Sequence, residues 1–437
     1  MAAFRSLFCV RPFAPTEPGI SDVDFAGRDT VIHDGSRIRE GLCCFMIYRF
    51  AKQSYWCLPD TLRRPLDPWR HKLIALRDLQ RDLWLIEGVE QSTGLPLAIA
   101  CAIPEPHRRD LLERIYGHSF HQRRLGRHWH WNLGRVVRRR AAQCGLQIVY
   151  GPRYPQRPAP GGGLFFIPAW LEGQAMLPFP REIARTRSFK EECRTIRRSG
   201  YAYKITQDPE QMDWFLRELL LPYACGVYGA RTLPAYNLAE QRQLHRGCEL
   251  LLVQDTTQVV AGMSFRSCGD NSSVFGLGVR QPTRTHIRNG AATAAYYFTL
   301  QHLATLGCTN VGLGLSRPFL RDGVLGYKRT WGQRIQGASV KGYHLSVRHD
   351  STAVRGFLKS NPFAYLDGTE ITGAVFVDAD SPPGPPELSQ LQKEFLYPGL
   401  AQLRIFRLHA GSAPRPDSVS PDGFPQLRID TLPLPTG

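Results

Sequence analysis

The stretch Gly312-Leu-Gly-Leu-Ser-Arg-Pro-Phe-Leu-Arg-Asp-Gly-Val-Leu-Gly-Tyr-Lys-Arg-Thr-Trp-Gly332 is the most informative part of this sequence. It continues an apolar run, Val311 to Leu315, that predicts a strand. After the turn signal Asp322-Gly323, the run Val324 to Trp331 is long enough for two helical turns. The pattern therefore places a group of polar side chains beside the strand end: Arg317, Asp322, Tyr327 and Lys328.

This polar group has a structural interpretation as well as a catalytic one. Asp322 would cap the short helix, Arg317 would pair with it, and Trp331 would fill the core. That interpretation accounts well for Trp331. It accounts less well for the concentration of ionisable side chains around it, so both interpretations stay open.

The elements before this stretch have a recognisable order. Glu249 to Asp255 and Val259 to Phe265 predict an antiparallel hairpin, and Ser273 to Val279 predicts a third strand beside it. A helix follows from about Ala292 to Leu306 and ends at Gly307. The predicted order is thus hairpin, strand, loop, helix and strand.

The loop before this helix has the chemistry of an anion site. A helix N-terminus offers free N–H groups and the positive end of a dipole, and small residues let a phosphate approach the backbone. Two arginines lie just before it. The candidate residues for binding a phosphate-bearing donor are Arg284, Arg288, Asn289, Gly290 and Ala291. A solvated basic loop that caps an ordinary helix is an equally good interpretation of the same residues.

Two segments together resemble a known superfamily. The stretch 312–332, with Phe189-Lys-Glu-Glu-Cys-Arg-Thr-Ile-Arg-Arg-Ser-Gly-Tyr201, is similar to the GNAT/FemAB-type acyltransferases. Branches of this superfamily include CelD-like acetyltransferase domains of polysaccharide clusters and the aminoacyl-tRNA-dependent transferases of peptidoglycan bridges. The resemblance covers 189–347. It implies an α+β fold of two tandem GNAT-like (acyl-CoA N-acyltransferase) domains in a FemAB-like arrangement, each with a mixed central sheet flanked by helices.

The resemblance also implies a reaction. An acyl group, activated as an acyl-CoA thioester or an aminoacyl-tRNA ester, would pass to the amine or hydroxyl of a small-molecule, saccharide or peptide acceptor. Asp322 would be the general base, Lys328 or Arg317 would stabilise negative charge, and Tyr327 would return a proton to the leaving group. Tyr223 and Tyr228 would line the acceptor side, or simply pack. No metal is expected.

The donor loop departs from the family pattern. Arg288-Asn-Gly-Ala-Ala292 keeps the small residues but lacks the fuller Q/R-x-x-G-x-G/A form. FemAB-type members need no such loop, although the long helical arm that bridge-forming members use for tRNA has no evident counterpart here. Acyl-CoA therefore ranks slightly ahead of aminoacyl-tRNA as the donor.

The chain of 437 residues is long enough for two domains and a tail. Residues 83–150 and 249–315 share an order of hairpin, helix, glycine and strand, which indicates a repeat of architecture. The predicted parts are a lead-in segment (1–40), a degenerate N-terminal GNAT-like domain (41–177), a C-terminal acyltransferase domain (178–380) and a Pro-rich segment with a loose tail (381–437).

The chain carries 55 basic and 38 acidic residues, a net charge of +17. Such a field suits phosphate-bearing partners, although the codon usage of a GC-rich genome would also enrich arginine. Arg187, Lys190, Arg194 and Arg198 fall on one face of a predicted helix. That face would contact tRNA or an anionic membrane, or else be merely solvated.

Other features narrow the class of protein. The 11 cysteines include no CxxC pair, and no run approaches the length of a membrane span, so we expect a cytoplasmic protein with reduced thiols. Metal binding by His118, His121, His128 and His130 is disfavoured because arginines flank them. Motifs of serine hydrolases and nucleotide hydrolases are absent. A non-catalytic GNAT-fold binding or scaffold protein, in a polysaccharide or secondary-metabolite pathway, is the alternative to an acyltransferase.

Overall fold

The structure is a computed structural model, and it describes the chain from residue 79 onward with several gaps. The described ranges are 79–105, 107–117, 119–153, 164–228, 238–280, 290–380, 383–411 and 420–435. The predicted lead-in segment, residues 1–40, lies outside them. So do three of the predicted donor-binding residues, Arg284, Arg288 and Asn289.

Eleven α-helices occur in these ranges. They are α1 His107–Tyr116, α2 Leu133–Arg140, α3 Arg181–Ala184, α4 Arg187–Ser199, α5 Pro209–Phe215, α6 Leu221–Tyr228, α7 Leu238–Leu244, α8 Ala291–Thr305, α9 Gly323–Thr330, α10 Thr352–Ser360 and α11 Pro385–Phe395. A π-helical segment, Leu216–Leu220, joins α5 to α6, and a 3-10 turn, His130–Asn132, precedes α2. None of the described helices combines the length and apolar character needed to cross a bilayer.

The first sheet is mixed and has six strands in the order β3-β1-β2-β4-β13-β5. Their bounds are β1 Gln80–Val89, β2 Pro96–Ala102, β3 Phe120–Trp129, β4 Leu146–Pro152, β5 Leu164–Pro168 and β13 Lys341–Val347. All neighbouring pairs are antiparallel except β2 and β4, which run parallel. The chain needs α1, β3 and α2 to cross between these two strands, as parallel pairing requires.

The second sheet is also mixed and has seven strands in the order β12-β6-β11-β10-β9-β8-β7. Their bounds are β6 Leu171–Met176, β7 Ala202–Thr206, β8 Glu249–Gln254, β9 Val259–Cys268, β10 Asn271–Val279, β11 Asn310–Ser316 and β12 Arg334–Ala338. Its one parallel pair, β10 and β11, is connected by α8. The predicted order of hairpin, strand, helix and strand is confirmed, and so is the prediction of two mixed sheets flanked by helices.

The two sheets exchange strands. β6 follows β5 in the chain but pairs with β11 and β12 in the second sheet, and β13 follows β12 but pairs with β4 and β5 in the first. The two crossing segments run side by side: Ala169 N–H donates to Lys341 O at 3.0 Å, and Ser339 N–H donates to Trp170 O at 2.9 Å. The sheets therefore do not follow the sequence boundary predicted at 177/178.

A third sheet, absent from the sequence predictions, is built from the C-terminal part of the chain. Its order is β14-β15-β16-β17, with bounds β14 Phe363–Asp367, β15 Glu370–Asp378, β16 Leu403–Ala410 and β17 Leu427–Leu434. The loose tail predicted for 411–437 is wrong for β17, which pairs with β16, and the helix α11 and strand β16 in the segment before it were not predicted. β16 is buried on both faces: Leu403 and Ile405 belong to one apolar cluster, and Phe406 and Leu408 belong to the cluster shared with the first sheet.

The cores lie between sheets and helices. One buried cluster joins the first and third sheets, with Phe165 against Phe376 and Phe406. Another lies under the second sheet, where Trp331 is fully buried against Phe189. The predicted structural role of Trp331 as a core residue is confirmed.

Candidate functional site

The parallel strands β10 and β11 separate after three residue pairs. Only Asn271, Ser272 and Ser273 of β10 pair, with Asn310, Val311 and Gly312 of β11. Just beyond, β10 has an irregularity against β9 between Val274 and Gly276, and β11 has one against β6 between Gly312 and Leu315. β10 stays paired with β9, and β11 stays paired with β6, while β10 and β11 stop pairing with each other. We call the resulting gap between residues 274–279 and 313–316 the split.

The split exposes backbone that a sheet would normally use. Beyond Ser273 and Gly312, the facing edges of the two strands form no ladder with each other, although peptide groups require hydrogen-bond partners. Gly314 has φ +72°, a conformation that favours glycine, and Leu315 beside it is 52% exposed. An extended ligand with amide groups would find both backbone partners and an apolar contact here.

Lys328 reaches into the base of the split from α9. Its Nζ donates to Leu315 O at 2.8 Å and to Ser316 Oγ at 3.2 Å, and the residue is only 4% exposed. A Cβ at Gly314 would lie 4.0 Å from this Nζ. Burial lowers the pKa of Lys328 to about 8, against the opposing attraction of Asp322. The ammonium is thus close to losing its proton at neutral to mildly alkaline pH.

Tyr327 and Glu192 both contact Thr293 in the first turn of α8. The Tyr327 hydroxyl donates to Thr293 Oγ1 at 3.3 Å, and the Glu192 carboxyl shares a hydrogen bond with the same side chain. Burial raises the pKa of Tyr327 well above its usual value, and the charge of Glu192 adds to the shift. Burial also raises the pKa of Glu192. The phenol therefore keeps its proton at neutral pH, where its hydroxyl hydrogen-bonds to Thr293.

The N-terminus of α8 is described from Gly290 onward. Gly290 has φ +75° and supplies no side-chain cap, and a Cβ there would lie 3.0 Å from Thr195 Cγ2 of α4. Gly290 and Ala291 are buried. The open approach that the sequence predicted for an anion is therefore not seen at these two residues, because α4 packs beside them.

Asp322 forms the N-cap of α9. Its Oδ1 accepts from the backbone N–H groups of Val324 and Leu325 at 3.0 and 3.2 Å. Its other oxygen pairs with Arg114 of α1 at 3.4 Å. The structural interpretation of the sequence was right about the cap and wrong about the partner, because Arg317 pairs with Asp110 instead.

A polar cavity of about 480 Å³ lies on the other side of the loop that follows β11. Arg317 lines this cavity. The residue before it, Ser316, contacts Lys328 through its hydroxyl. The residues that line the cavity come from the first hairpin, α1, this loop and the end of α10: Glu90, Gln91, Ser92, Asp110, Glu113, Arg114, Arg317, Ser360 and Asn361. The split and the cavity are therefore joined through two consecutive residues.

Charges in this cavity are paired and partly buried. Asp110 pairs with Arg317, and burial raises the pKa of Asp110 while Arg317 and Arg114 oppose that shift. Arg114 lies with its guanidinium carbon 4.1 Å from the centre of the Phe319 ring, and its Nε has no partner in the described structure. Glu90 is used differently, because its carboxylate accepts four hydrogen bonds from Ser92 and Thr93 in the first hairpin turn.

The predicted acceptor tyrosines do not join this cavity. Tyr223 packs against the core of the second sheet, where burial raises its pKa to about 12. Tyr228 ends α6, and its side chain lies outside the described part of the structure. Within the described residues, no group of three or more His, Cys, Asp or Glu is arranged to hold a metal ion.

Of the four predicted catalytic residues, the structure brings Lys328 to the split, Tyr327 to α8 and Arg317 to the cavity, and it places Asp322 between them. Sequence reasoning missed Asp110, Arg114, Glu192 and Thr293. The only available signal was the spacing of Asp110 and Arg114, one turn apart on a helix after the first hairpin. Their partners Arg317 and Asp322 lie more than 200 residues away in the chain, which no local pattern reveals.

No family model matches this sequence, and no curated protein matches it. Several solved structures are similar in fold. FemX is 11% identical with a TM-score of 0.30, over 60% of this chain and 83% of its own. L-PGS from Bacillus licheniformis is 13% identical with a TM-score of 0.27, over 52% and 77%. A tandem GNAT protein from the clavulanic acid biosynthesis pathway is 14% identical with a TM-score of 0.25, over 60% and 82%. At these values the likeness says nothing about substrate or reaction.

Proposed function

We propose that this protein is an acyltransferase that holds an activated acyl donor in the split between β10 and β11 and its acceptor in the adjoining polar cavity. The observation that carries the proposal is the separation of two parallel strands beside a buried lysine. A strand pair that parts leaves backbone groups free to bind an extended donor, and Lys328 stands where the donor's carbonyl would end.

The donor proposed first is an acyl-CoA thioester, with an aminoacyl-tRNA ester second. Both have an extended chain that ends in an activated carbonyl and a phosphate-bearing remainder. Their phosphates would go to the predicted residues Arg284, Arg288 and Asn289 just before α8, whereas Gly290 and Ala291, which are buried beside α4, would contribute backbone N–H groups only. These five residues remain a proposal.

Each step of the transfer has a candidate group. The acceptor amine or hydroxyl attacks the carbonyl, and the Lys328 ammonium stabilises the oxyanion that forms. Tyr327 then donates its proton to the leaving thiolate or alkoxide, which departs as a thiol or an alcohol. Asp110 is the better candidate for the base because it lines the cavity, whereas the carboxylate of Asp322 is occupied by the α9 cap and Arg114. We therefore assign Asp322 a positioning role.

The cavity favours a basic acceptor. Three of its lining residues are carboxylates and two are guanidinium groups, an acidic balance in a chain that carries +17 overall. An amine would be attracted to Asp110 and Glu113 before it loses a proton. Arg317 and Arg114 would orient any acidic group that the same acceptor carries.

The proposal can be tested by titrating acyl-CoAs and charged tRNA into the full chain, with thiol release as the measure of turnover. A matched pair of variants localises the donor: Leu315→Trp beside the split and Leu306→Trp after α8, since the two leucines are equally exposed at 52% and 53%. We expect L315W to weaken donor binding about tenfold or more by filling the split, and L306W to leave it unchanged. Equal effects of the two variants would contradict the split as the donor site.

A binding protein without catalysis is the second candidate, and one observation favours it. Asp322 and Lys328 both make structural hydrogen bonds, to the α9 backbone and to the end of β11. This candidate would be supported if the donor binds to the protein but its thiol is not released in the presence of any amine or hydroxyl acceptor. Failure to bind acyl-CoA and charged tRNA alike, by a folded protein, would remove both.

A further inference from the structure

One third of the way along the chain, acidic residues disappear. Residues 114–171 contain ten arginines and no lysine, aspartate or glutamate. This stretch of 58 residues carries +10 of the chain's +17, which leaves +7 for the other 379 residues. An arginine-rich composition spread evenly by codon usage would not concentrate charge in this way.

The fold brings seven of these arginines to one edge of the first sheet, on β3 and on α2, with Arg123 on the side of β3 that faces α2 and Arg124 and Arg127 on the other side. β3 is the edge strand of the first sheet, and α2 follows it and packs against it through Leu133 and Val137, which are buried. The Arg140 guanidinium donates to Leu125 O at 3.2 Å and ties the end of the helix to the strand. We call this surface the arginine face; its exposed members are Arg123, Arg124, Arg127, Arg135, Arg138, Arg139 and Arg140.

The arginine face has almost no internal neutralisation. Among the described residues only Arg124 has a carboxylate partner, Asp82 of the neighbouring strand. Some arginines elsewhere do have carboxylate partners, as Arg194 pairs with Glu191 on α4 and Arg355 with Asp350 beside α10. A set of like charges left unpaired on one surface is costly in the free protein and is relieved when an anion binds.

Two tryptophans lie at the junction between β3 and α2. Trp129 ends β3 and Trp131 lies in the 3-10 turn that leads to α2, and their rings stack with centroids 5.0 Å apart and planes at 11°. They are 41% and 64% exposed. The stack presents a flat aromatic surface to solvent at the turn between the two arginine-bearing elements.

We propose that the arginine face binds a single-stranded segment of nucleic acid, with its phosphates on the arginines and a base stacked on Trp131. Arginine forks match phosphate oxygens, and aromatic platforms bind unpaired bases of any sequence. A lipid surface fits less well, because the apolar side chains of α2 point into the core and only the tryptophan pair could enter a bilayer. The inference is independent of which acyl donor the protein uses.

The test is fluorescence anisotropy of the full chain with a labelled oligouridylate of about 20 nucleotides, at about 50 and 200 mM salt. The first variant changes Arg123, Arg127, Arg135 and Arg139 to Gln. Its control changes Arg187, Lys190, Arg194 and Arg198 of α4, which are also exposed, to Gln with the same loss of charge. A second pair is Trp131→Ala and Tyr203→Ala, since Tyr203 is likewise exposed and stacked, on Phe298.

We expect the four-arginine variant to bind about tenfold or more weakly, and its salt slope to fall by about 0.7 for each phosphate that the variant no longer binds. W131A should weaken binding about tenfold, and the α4 and Tyr203 controls less than twofold. An equal loss in the α4 control would show that net charge alone acts, and would overturn the proposal. The proposal would also be overturned if the oligonucleotide did not bind. That outcome includes the case in which phosphatidylglycerol vesicles bind to the wild type and do not bind to the four-arginine variant.

Discussion

Ser316 and Arg317 show how two neighbouring residues can serve two sites. Lys328 binds the hydroxyl of Ser316 at the base of the split, while Arg317 pairs with Asp110 in the cavity. Successive side chains of an extended chain point in opposite directions. The two side chains therefore serve spaces on opposite sides of the chain, and transfer between these spaces would require the donor carbonyl to reach around the end of β11.

Asp322 separates a structural role from an electrostatic one. Asp322→Ala removes the α9 cap and should lower the free energy of unfolding by about 1 kcal/mol, whereas Asp322→Ser keeps a capping oxygen and should cost only a few tenths. Urea unfolding measures both. If D322S is stable but loses turnover, the reaction requires the carboxylate charge that positions Arg114. If D322S keeps full turnover, Asp322 acts only as the cap of α9.

Lys328 should give the reaction an alkaline limit. Because burial lowers its pKa to about 8, the ammonium that stabilises the oxyanion is lost as the pH rises through that value. We expect kcat to fall above about pH 8 in the wild type, and to be low and without this limb in Lys328→Met. The exposed Lys393→Met serves as the control. A wild-type rate that stays constant to pH 9.5 would contradict the role.

The same lysine affects stability in the opposite direction. Below about pH 8 the folded protein bears the full cost of burying an ammonium. Between about 8 and the ordinary value of 10.5, the unfolded chain binds the proton and the folded chain does not, so the contribution to the free energy of unfolding rises with pH. Stability and turnover should therefore respond to alkaline pH with opposite signs.

At the scale of elements, the split depends on two strand irregularities that face each other. Each releases one strand from its inner neighbour and leaves its outer pairing intact. Since the outer strands β9 and β6 hold β10 and β11 in place, the gap is built into the sheet and needs no ligand to open it. A preformed gap costs a donor little ordering on binding.

A substitution in β13 would test the exchange of strands between the two sheets. A Cβ at Gly342 would lie 2.2 Å from Ile167 O of β5, so Gly342→Ala forces backbone atoms apart at the centre of the first sheet. We expect it to lower the free energy of unfolding by about 2–3 kcal/mol. Gly134→Ala in α2, where no atom lies within 4 Å, should instead stabilise by up to about 1 kcal/mol. Similar values for the two in urea unfolding would contradict the position of β13.

At the scale of the whole molecule, the C-terminal sheet is part of the core. Phe406 of β16 is 7% exposed, and its ring packs against Phe165 of the first sheet at 5.3 Å. We expect Phe406→Ala to lower the free energy of unfolding by about 3 kcal/mol or more, and Leu306→Ala, at an exposed site, to change it by less than about 0.5 kcal/mol. If F406A unfolded like the wild type in urea, the packing of the third sheet on the first would be contradicted.

The order of the elements was determined by the sequence alone. The hairpin β8–β9, the helix α8 and the capped helix α9 were all predicted, because alternation, helical spacing and the Asp322-Gly323 turn act over neighbouring residues. The gathering of Arg317, Asp322, Tyr327 and Lys328 after one strand was visible for the same reason. Their grouping in the chain did not reveal that they face two different spaces.

Tertiary structure decided the rest. The exchange of β6 and β13, the pairing of Arg317 with Asp110 and of Asp322 with Arg114, and the strands of the C-terminal segment all join residues far apart in the chain. Such contacts depend on which buried surfaces fit together once the sheets form, and single segments carry no record of that fit. The split is the clearest case, since it arises where two strands stop pairing.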